Sequence, residues 1–151
     1  MANFIYTRAT RDIMLGDADF GGAGVDDFRI LLVMQSSTAG DASERDMATI
    51  GDFGTLDIHD GGNYADKPLA AEAVTQVDAS NLSKFVADDV TWTLLGAGAT
   101  AILGAVLYLF VTSRDLSTPI AWIDTPTPPN SNGGDWVINW NSLGIIQGVS
   151  S

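Results

Sequence analysis

His59 is the only histidine of the 151-residue chain, and it stands between two carboxylates in the run Asp57-Ile58-His59-Asp60-Gly61-Gly62. A histidine beside an aspartate serves as the base of a nucleophilic triad once the fold brings a serine to it. The sequence holds no Gly-x-Ser-x-Gly elbow and no cysteine, so His59 reads as an exposed loop residue. With one histidine and no thiolate, zinc and copper sites lack their ligands. Oxygen ligands are more plentiful, because Asp57, Asp60, Asn63 and Asp66 fall in one glycine-containing loop, the raw material of a calcium site. Their spacing departs from the EF-hand loop, and they read as solvated turn residues. The glycine clusters at 21–24 and 96–104 match neither the phosphate-binding loop nor the dinucleotide fingerprint and read as turns. No pair of carboxylates is singled out for glycoside hydrolysis. The residues therefore predict no enzyme: no catalytic, cofactor-binding or metal-binding side chain is assigned.

Trp92, Trp122, Trp136 and Trp140 remain as candidates for a carbohydrate platform. Each alternates with apolar partners inside a predicted strand, which favours core packing or a subunit interface. A carbohydrate-binding module stays open as an alternative.

The elements that must position these residues are mostly strands. Phe28 to Met34 is a breaker-free run expected to be buried on both faces. Val90, Trp92 and Leu94 alternate with Thr91 and Thr93, and Trp136, Ile138 and Trp140 with Val137 and Asn139, as half-buried strands require. Residues 70–77, 82–86, 119–124 and the closing 144–149 are further strand candidates. Residues 4–15 place Ile5, Ala9 and Ile13 at a spacing of four, ahead of Gly16, and predict an amphipathic helix capped by Asn3, with Arg8 and Arg11 outward. Residues 17–27 form a Gly/Asp-rich connector. Ser43 is placed to cap a second, short helix lined by Met47, Ile50 and Phe53. The uncharged stretch from Val90 to Ser113 is long enough to raise the question of a membrane helix. Its alternation, the Gly96-Ala97-Gly98 interruption and the β-branched run from Ile102 to Val111 predict a two-stranded hairpin instead. The fold class expected is thus mainly β: one domain over 1–151, an antiparallel sandwich or barrel-like sheet with an N-terminal helix in 1–16 and one short additional helix.

Seven basic residues against nineteen acidic ones give a formal charge of -12 and a pI near 4.1. Such a surface repels phosphate backbones and anionic headgroups, which argues against nucleic acid and membrane as partners. The amino terminus lacks the basic start and continuous apolar core of a secretory signal and is expected to be retained. Without cysteine, stability must come from packing or from assembly with other chains.

Several segments resemble small virion proteins of tailed phages. The opening MANFIYTRATRDIMLGDADF followed by FRILLVM is similar to their Met-Ala-Asn start, short helix ending in Gly-Asp, and strand. TIGDFGTLDIHDGGNYADKPLA, DDVTWTLLGAGA and PIAWIDTPTPPNSNGGDWVINWNSLGII resemble their middle and end, and the polar loop Gln35 to Glu44 departs from the pattern. The resemblance implies a virion structural protein: a capsid decoration or cement protein on the head exterior that contacts the major capsid protein and other copies of itself. A tail- or neck-associated protein is the alternative within the same class. Asp17 to Asp27 and Gln35 to Glu44 are the expected contact elements, because loops on a rigid scaffold carry interfaces.

Overall fold

The computed structural model describes residues 2–20, 26–125, 131–142 and 144–149. It is mainly β, with antiparallel sheets, one α-helix and single-turn 3-10 helices, consistent with a small β-sandwich-like domain. Ten strands are described: β1 (Phe4–Ile5), β2 (Phe28–Met34), β3 (Lys67–Pro68), β4 (Ala73–Val77), β5 (Leu82–Val86), β6 (Val90–Trp92), β7 (Ile102–Leu109), β8 (Thr118–Asp124), β9 (Trp136–Ile138) and β10 (Ile146–Val149). They form a five-stranded sheet in the order β1-β8-β7-β2-β3, a three-stranded sheet β10-β5-β4 and a ribbon β6-β9.

The apolar runs Phe28–Met34 and Ile102–Leu109 become the adjacent central strands β2 and β7, almost wholly buried. Continuous hydrophobicity is what a strand covered on both faces requires, and each fully buried side chain of this size contributes about 1.5–3 kcal/mol. Gly104 in β7 has a specific reason: a Cβ there would collide with the Trp122 ring on β8 and lie 2.6 Å from the Ile123 carbonyl oxygen. The small sheet is joined to β2 through Phe20, which stacks on Phe28 at 4.6 Å and meets Phe85 of β5 edge-on at 4.8 Å. The ribbon is joined through Trp92, packed between Tyr64 and Trp136. No helix among the described residues is long and apolar enough to cross a membrane.

Several expectations need correction. The helix, α1, spans Thr7–Leu15 and not residues 4–15, because Phe4 and Ile5 pair as a strand with Trp122 and Ala121. Aromatic and β-branched residues gain more from that sheet edge than from a first helical turn. Asn3 does not cap the helix; its Oδ1 accepts the Asp124 N–H at 2.8 Å. Gly16 does end α1, in the left-handed conformation at φ 75°. The face of α1 turned inward carries Ala9 and Asp12, whereas Ile13, Met14 and Leu15 are exposed. Arg8 and Arg11 both reach the Asp12 carboxylate from outside.

The stretch from Val90 to Ser113 does hold two strands, yet they are not a hairpin. β6 pairs with β9, while β7 lies between β2 and β8. Alternation in the first ends at Trp92, since Leu94 has φ 50° and is exposed. The short second helix takes the form of two 3-10 turns, Ala42–Glu44 and Ile50–Asp52. The second is capped by Thr49 together with Asp52, so Ser43 plays no capping part there. The candidate strand 70–77 begins only at Ala73, after Ala71 at φ 55°. The glycine cluster at 21–24 and residues 126–130 of the turn-rich link lie outside the described residues.

Candidate functional site

Three loops converge at one end of β2, and they carry most residues with chemical potential. The first runs from His59 to Asp66, the second from Leu94 to Thr100, and the third from Ser131 to Asp135. They are stitched by backbone bonds: Gly96 N–H donates to the Gly62 carbonyl at 2.8 Å, Leu95 N–H to Gly134 at 2.9 Å, and Gly133 N–H to Leu95 at 2.8 Å. Side chains complete the seam. Asn63 Nδ2 donates to the Leu94 carbonyl at 3.0 Å, Asp60 Oδ1 accepts the Ala99 N–H at 2.8 Å, and Asp135 Oδ1 accepts the Leu94 N–H at 2.9 Å.

His59 lies inside this seam and is 3% exposed, which overturns its reading as an exposed loop residue. Its backbone N–H is held by the Leu32 carbonyl of β2 at 3.0 Å. Burial is possible because glycines let the loops approach backbone to backbone. A Cβ on Gly61 would run into the Gly96 carbonyl oxygen and lie 2.5 Å from His59 Nε2; one on Gly98 would lie 2.8 Å from His59 Cε1. Gly96 and Gly98, first read as turn formers, are therefore close-approach residues, and so is Gly61. Alanine at Gly61 is expected to destabilise the chain by about 1–3 kcal/mol in urea unfolding. Alanine at Gly62, where a Cβ meets nothing within 4 Å, should change it by less than about 0.5 kcal/mol.

The structure does bring a serine to the histidine, a meeting the sequence alone does not reveal. Ser131 Oγ is 3.4 Å from His59 Nε2, and it donates to the Gly96 carbonyl at 2.7 Å. His59 Nε2 is 3.1 Å from the same oxygen. A bare Nε2 would face the oxygen's lone pairs, so this nitrogen carries the hydrogen and donates as well. Nε2 then cannot take the Ser131 proton, and Nδ1, buried against Gly98, has no partner among the described residues. Two donors on one carbonyl make a clasp, and this arrangement gives Ser131 no base.

The four oxygen-bearing side chains of the loop do not converge. Asp60 and Asn63 are engaged as described, and Asp57 contributes its backbone carbonyl to the Met34 N–H at 2.7 Å. No cluster of metal-ligating side chains is found among the described residues. Asp66 instead anchors a separate polar hub. Its Oδ2 accepts the Tyr108 hydroxyl and Arg114 Nε, both at 2.7 Å, and its Oδ1 accepts the Tyr64 hydroxyl at 3.1 Å and Arg114 Nη2 at 3.3 Å. Tyr64 in turn accepts the Leu32 N–H at 2.9 Å. Burial, reinforced by the Asp66 charge and hydrogen bond, pushes both phenols well above the ordinary tyrosine range. Burial opposes the Arg114 charge, but the Asp66 hydrogen bond and charge outweigh it and raise its pKa.

The four tryptophans are packed to different depths. Trp92 and Trp122 are fully buried, and Trp136 and Trp140 are half-buried. The Trp92 and Trp140 indoles donate to the Ala65 and Asp88 carbonyls, each at 2.8 Å. The loop Gln35 to Glu44 is anchored as well: Tyr6 donates its hydroxyl to the Ala39 carbonyl at 2.7 Å, and Thr38 N–H bonds Thr55 at 2.9 Å.

The surface also exposes several large apolar side chains. Met14 is 81% exposed and Leu15 58%, both at the end of α1, and Val74 of edge strand β4 is 50% exposed. Ile13 and Val74 line a groove of about 170 Å³ with Phe20, Phe85 and Ile146. Comparison of the chain with known protein families, with curated proteins and with solved structures finds no match.

Proposed function

We propose that this chain is a structural component of a tailed-phage virion, a decoration protein seated on the outer surface of the head and bound to the major capsid protein. The observation that carries the reading is the division of labour between interior and surface. His59, Ser131, Asp60, Asn63 and Asp66 are engaged in tying loops, while large apolar side chains are left exposed: Met14 and Leu15 at the end of α1, Ile13 and Val74 in one shared groove, and Leu94, Val111, Leu116 and Val137 in other segments. A rigid scaffold with an apolar contact patch suits binding to a lattice, which stabilises the shell by mass action. The resemblance of its segments to small virion proteins points the same way, and the charge of -12 keeps free copies apart and off packaged DNA. Self-association on the shell would follow lattice symmetry.

Purified virions test this. Copy numbers in the hundreds, with antibody labelling over the head, are the expected result. About a dozen copies or fewer would place the chain in the tail or neck, as expected of a ring of low symmetry. Complete absence from the particle would overturn the virion reading. Met14→Asp with Leu15→Asp should leave unfolding unchanged and reduce capture by empty heads at least about tenfold, as expected when two exposed contact residues are made charged.

A further inference from the structure

The margins of the two larger sheets differ in kind. β3 closes one side of the five-stranded sheet with Lys67 and Pro68, a charge and a residue without an N–H, and β1 closes the other with only two residues. Charge, proline and shortness all discourage a further strand. β4, which ends the three-stranded sheet, has none of them. Its five residues, Ala73-Val74-Thr75-Gln76-Val77, pair with β5 without a register shift and leave Val74, Thr75 and Gln76 exposed. Its outward backbone groups follow from the pairing. Ile145 N–H donates to the Phe85 carbonyl at 2.8 Å, so Phe85 of β5 turns its backbone toward β10 and away from β4. Val74 stands opposite Phe85, so that pair exchanges no bond, and alternation turns the N–H and C=O of Val74 and Gln76 outward. No hydrogen bond reaches these groups among the described residues. Val74, Phe85 and Ile146 are partners across β4, β5 and β10, so their side chains share one face, and with Ile13 and Phe20 they line the groove of about 170 Å³.

We infer that β4 accepts an extended segment of a partner polypeptide as an added strand: an uncharged stretch with an apolar side chain beside Val74 and a lysine or arginine at each end. An open edge is matched by another backbone, and the residue opposite Val74 extends the apolar row. The basic ends answer two particular carboxylates. Glu72 and Asp78 flank β4, and no cation pairs with either among the described residues. Asp78 accepts Gln76 Nε2 at 2.7 Å and keeps its charge. Lys84, the one cation among the groove residues, stands opposite Thr75, which alternation turns to the other face, and its Nζ donates to the Ser142 carbonyl at 2.7 Å. Lys67 lies on β3 of the other sheet, and the five arginines are engaged on Asp12, Asp27, Asp66 and the Phe4 ring. A second copy does not fit. Antiparallel pairing about Thr75 would set Glu72 of one chain opposite Asp78 of the other at both ends, and like charges directly opposite are destabilising. Nothing in this pairing depends on a place in a virion.

The test uses the full chain and three synthetic peptides: Lys-Thr-Val-Thr-Val-Thr-Lys, its glutamate-ended counterpart, and the lysine-ended peptide with both valine amides N-methylated. In register the two valines stand opposite Val74 and Gln76, so theirs are the amides that bond. Titrated to millimolar concentration, the lysine-ended peptide should give saturable amide shifts centred on residues 72–78. Its affinity should exceed that of the glutamate-ended peptide by at least about threefold at low salt and lose that margin at high salt. N-methylation should abolish binding. Glu72→Lys with Asp78→Lys leaves the chain acidic overall and should reverse the preference between the two peptides, which attraction by net charge would not do. Val74→Pro, which removes an outward N–H and no bond to β5, should abolish binding with the unfolding midpoint checked in parallel; if that variant does not fold, the N-methylated peptide decides. Absence of saturable shifts, shifts mapping elsewhere, binding that survives N-methylation, an unreversed preference, or self-association of the chain through residues 73–77 would each overturn the proposal.

Discussion

Asp66→Ala is expected to lower the unfolding free energy by about 3 kcal/mol or more, a large share of the roughly 5–15 kcal/mol typical of a domain. The reason is what the carboxylate leaves behind. Asp66 is only 11% exposed at its side chain and accepts four hydrogen bonds, two of them from a half-covered guanidinium. Its removal strands two buried phenolic hydroxyls and one cation at once, and each buried donor without a partner costs about 1–3 kcal/mol. Arg114→Ala should cost less, about 1 kcal/mol, because water replaces a side chain that is 39% exposed. Urea unfolding of the two single variants and the double variant separates these terms. A loss below about 1 kcal/mol for Asp66→Ala would show that the hub ties nothing together.

The largest response to conditions should come at alkaline pH. All three tyrosines of the chain, Tyr6, Tyr64 and Tyr108, are held above the ordinary phenol value of 10.0, in each case by burial first. For Tyr6 the neighbouring charge of Glu44 adds to burial. A native pKa raised above the unfolded one contributes stability that is complete below the unfolded value and is lost as pH rises past it. Above about pH 10 the unfolded chain releases three protons that the native chain retains, so stability should fall by about 4 kcal/mol per pH unit. Urea midpoints measured across this range should drop accordingly, and the near-ultraviolet tyrosinate band should rise together with loss of tertiary structure. A tyrosinate signal developing while the fold persists would contradict the burial of these phenols.

The strands were legible where β-branched and aromatic residues run together between turn signals. Phe28–Met34 and Leu82–Val86 coincide with runs visible in the sequence, and Ile102–Leu109 falls within one. Pairing was not legible. Val90 and Trp92 show which face is buried, but nothing local says that Ile138 and Trp136 lie opposite, more than forty residues on, in place of the next strand in the chain. The amino-terminal helix starts three residues later than expected because a spacing of four at Ile5, Ala9 and Ile13 is also compatible with a strand residue followed by a helix. His59 was misread because a histidine flanked by aspartates and glycines looks solvated. The usable signal was the glycines themselves: Gly61, Gly62, Gly96 and Gly98 fall in two separate runs, and small residues in two loops permit the approach that buries a ring between them. The meeting with Ser131, 72 residues away in the chain, has no local signature.

The 121-residue separation between Asn3 and Asp124 bears on how the chain is made. During synthesis β1 emerges long before β8, its one strand partner among the described residues, so it waits for that partner until the intervening chain has left the ribosome. The β7–β8 hairpin forms locally and early, whereas β1 and the β6–β9 ribbon wait for late segments, an ordering that favours slow completion. β1 is therefore made well before it can be placed, and the nascent chain holds an open sheet margin until β8 arrives, the interval in which a chaperone or an assembly partner has most to gain by binding it.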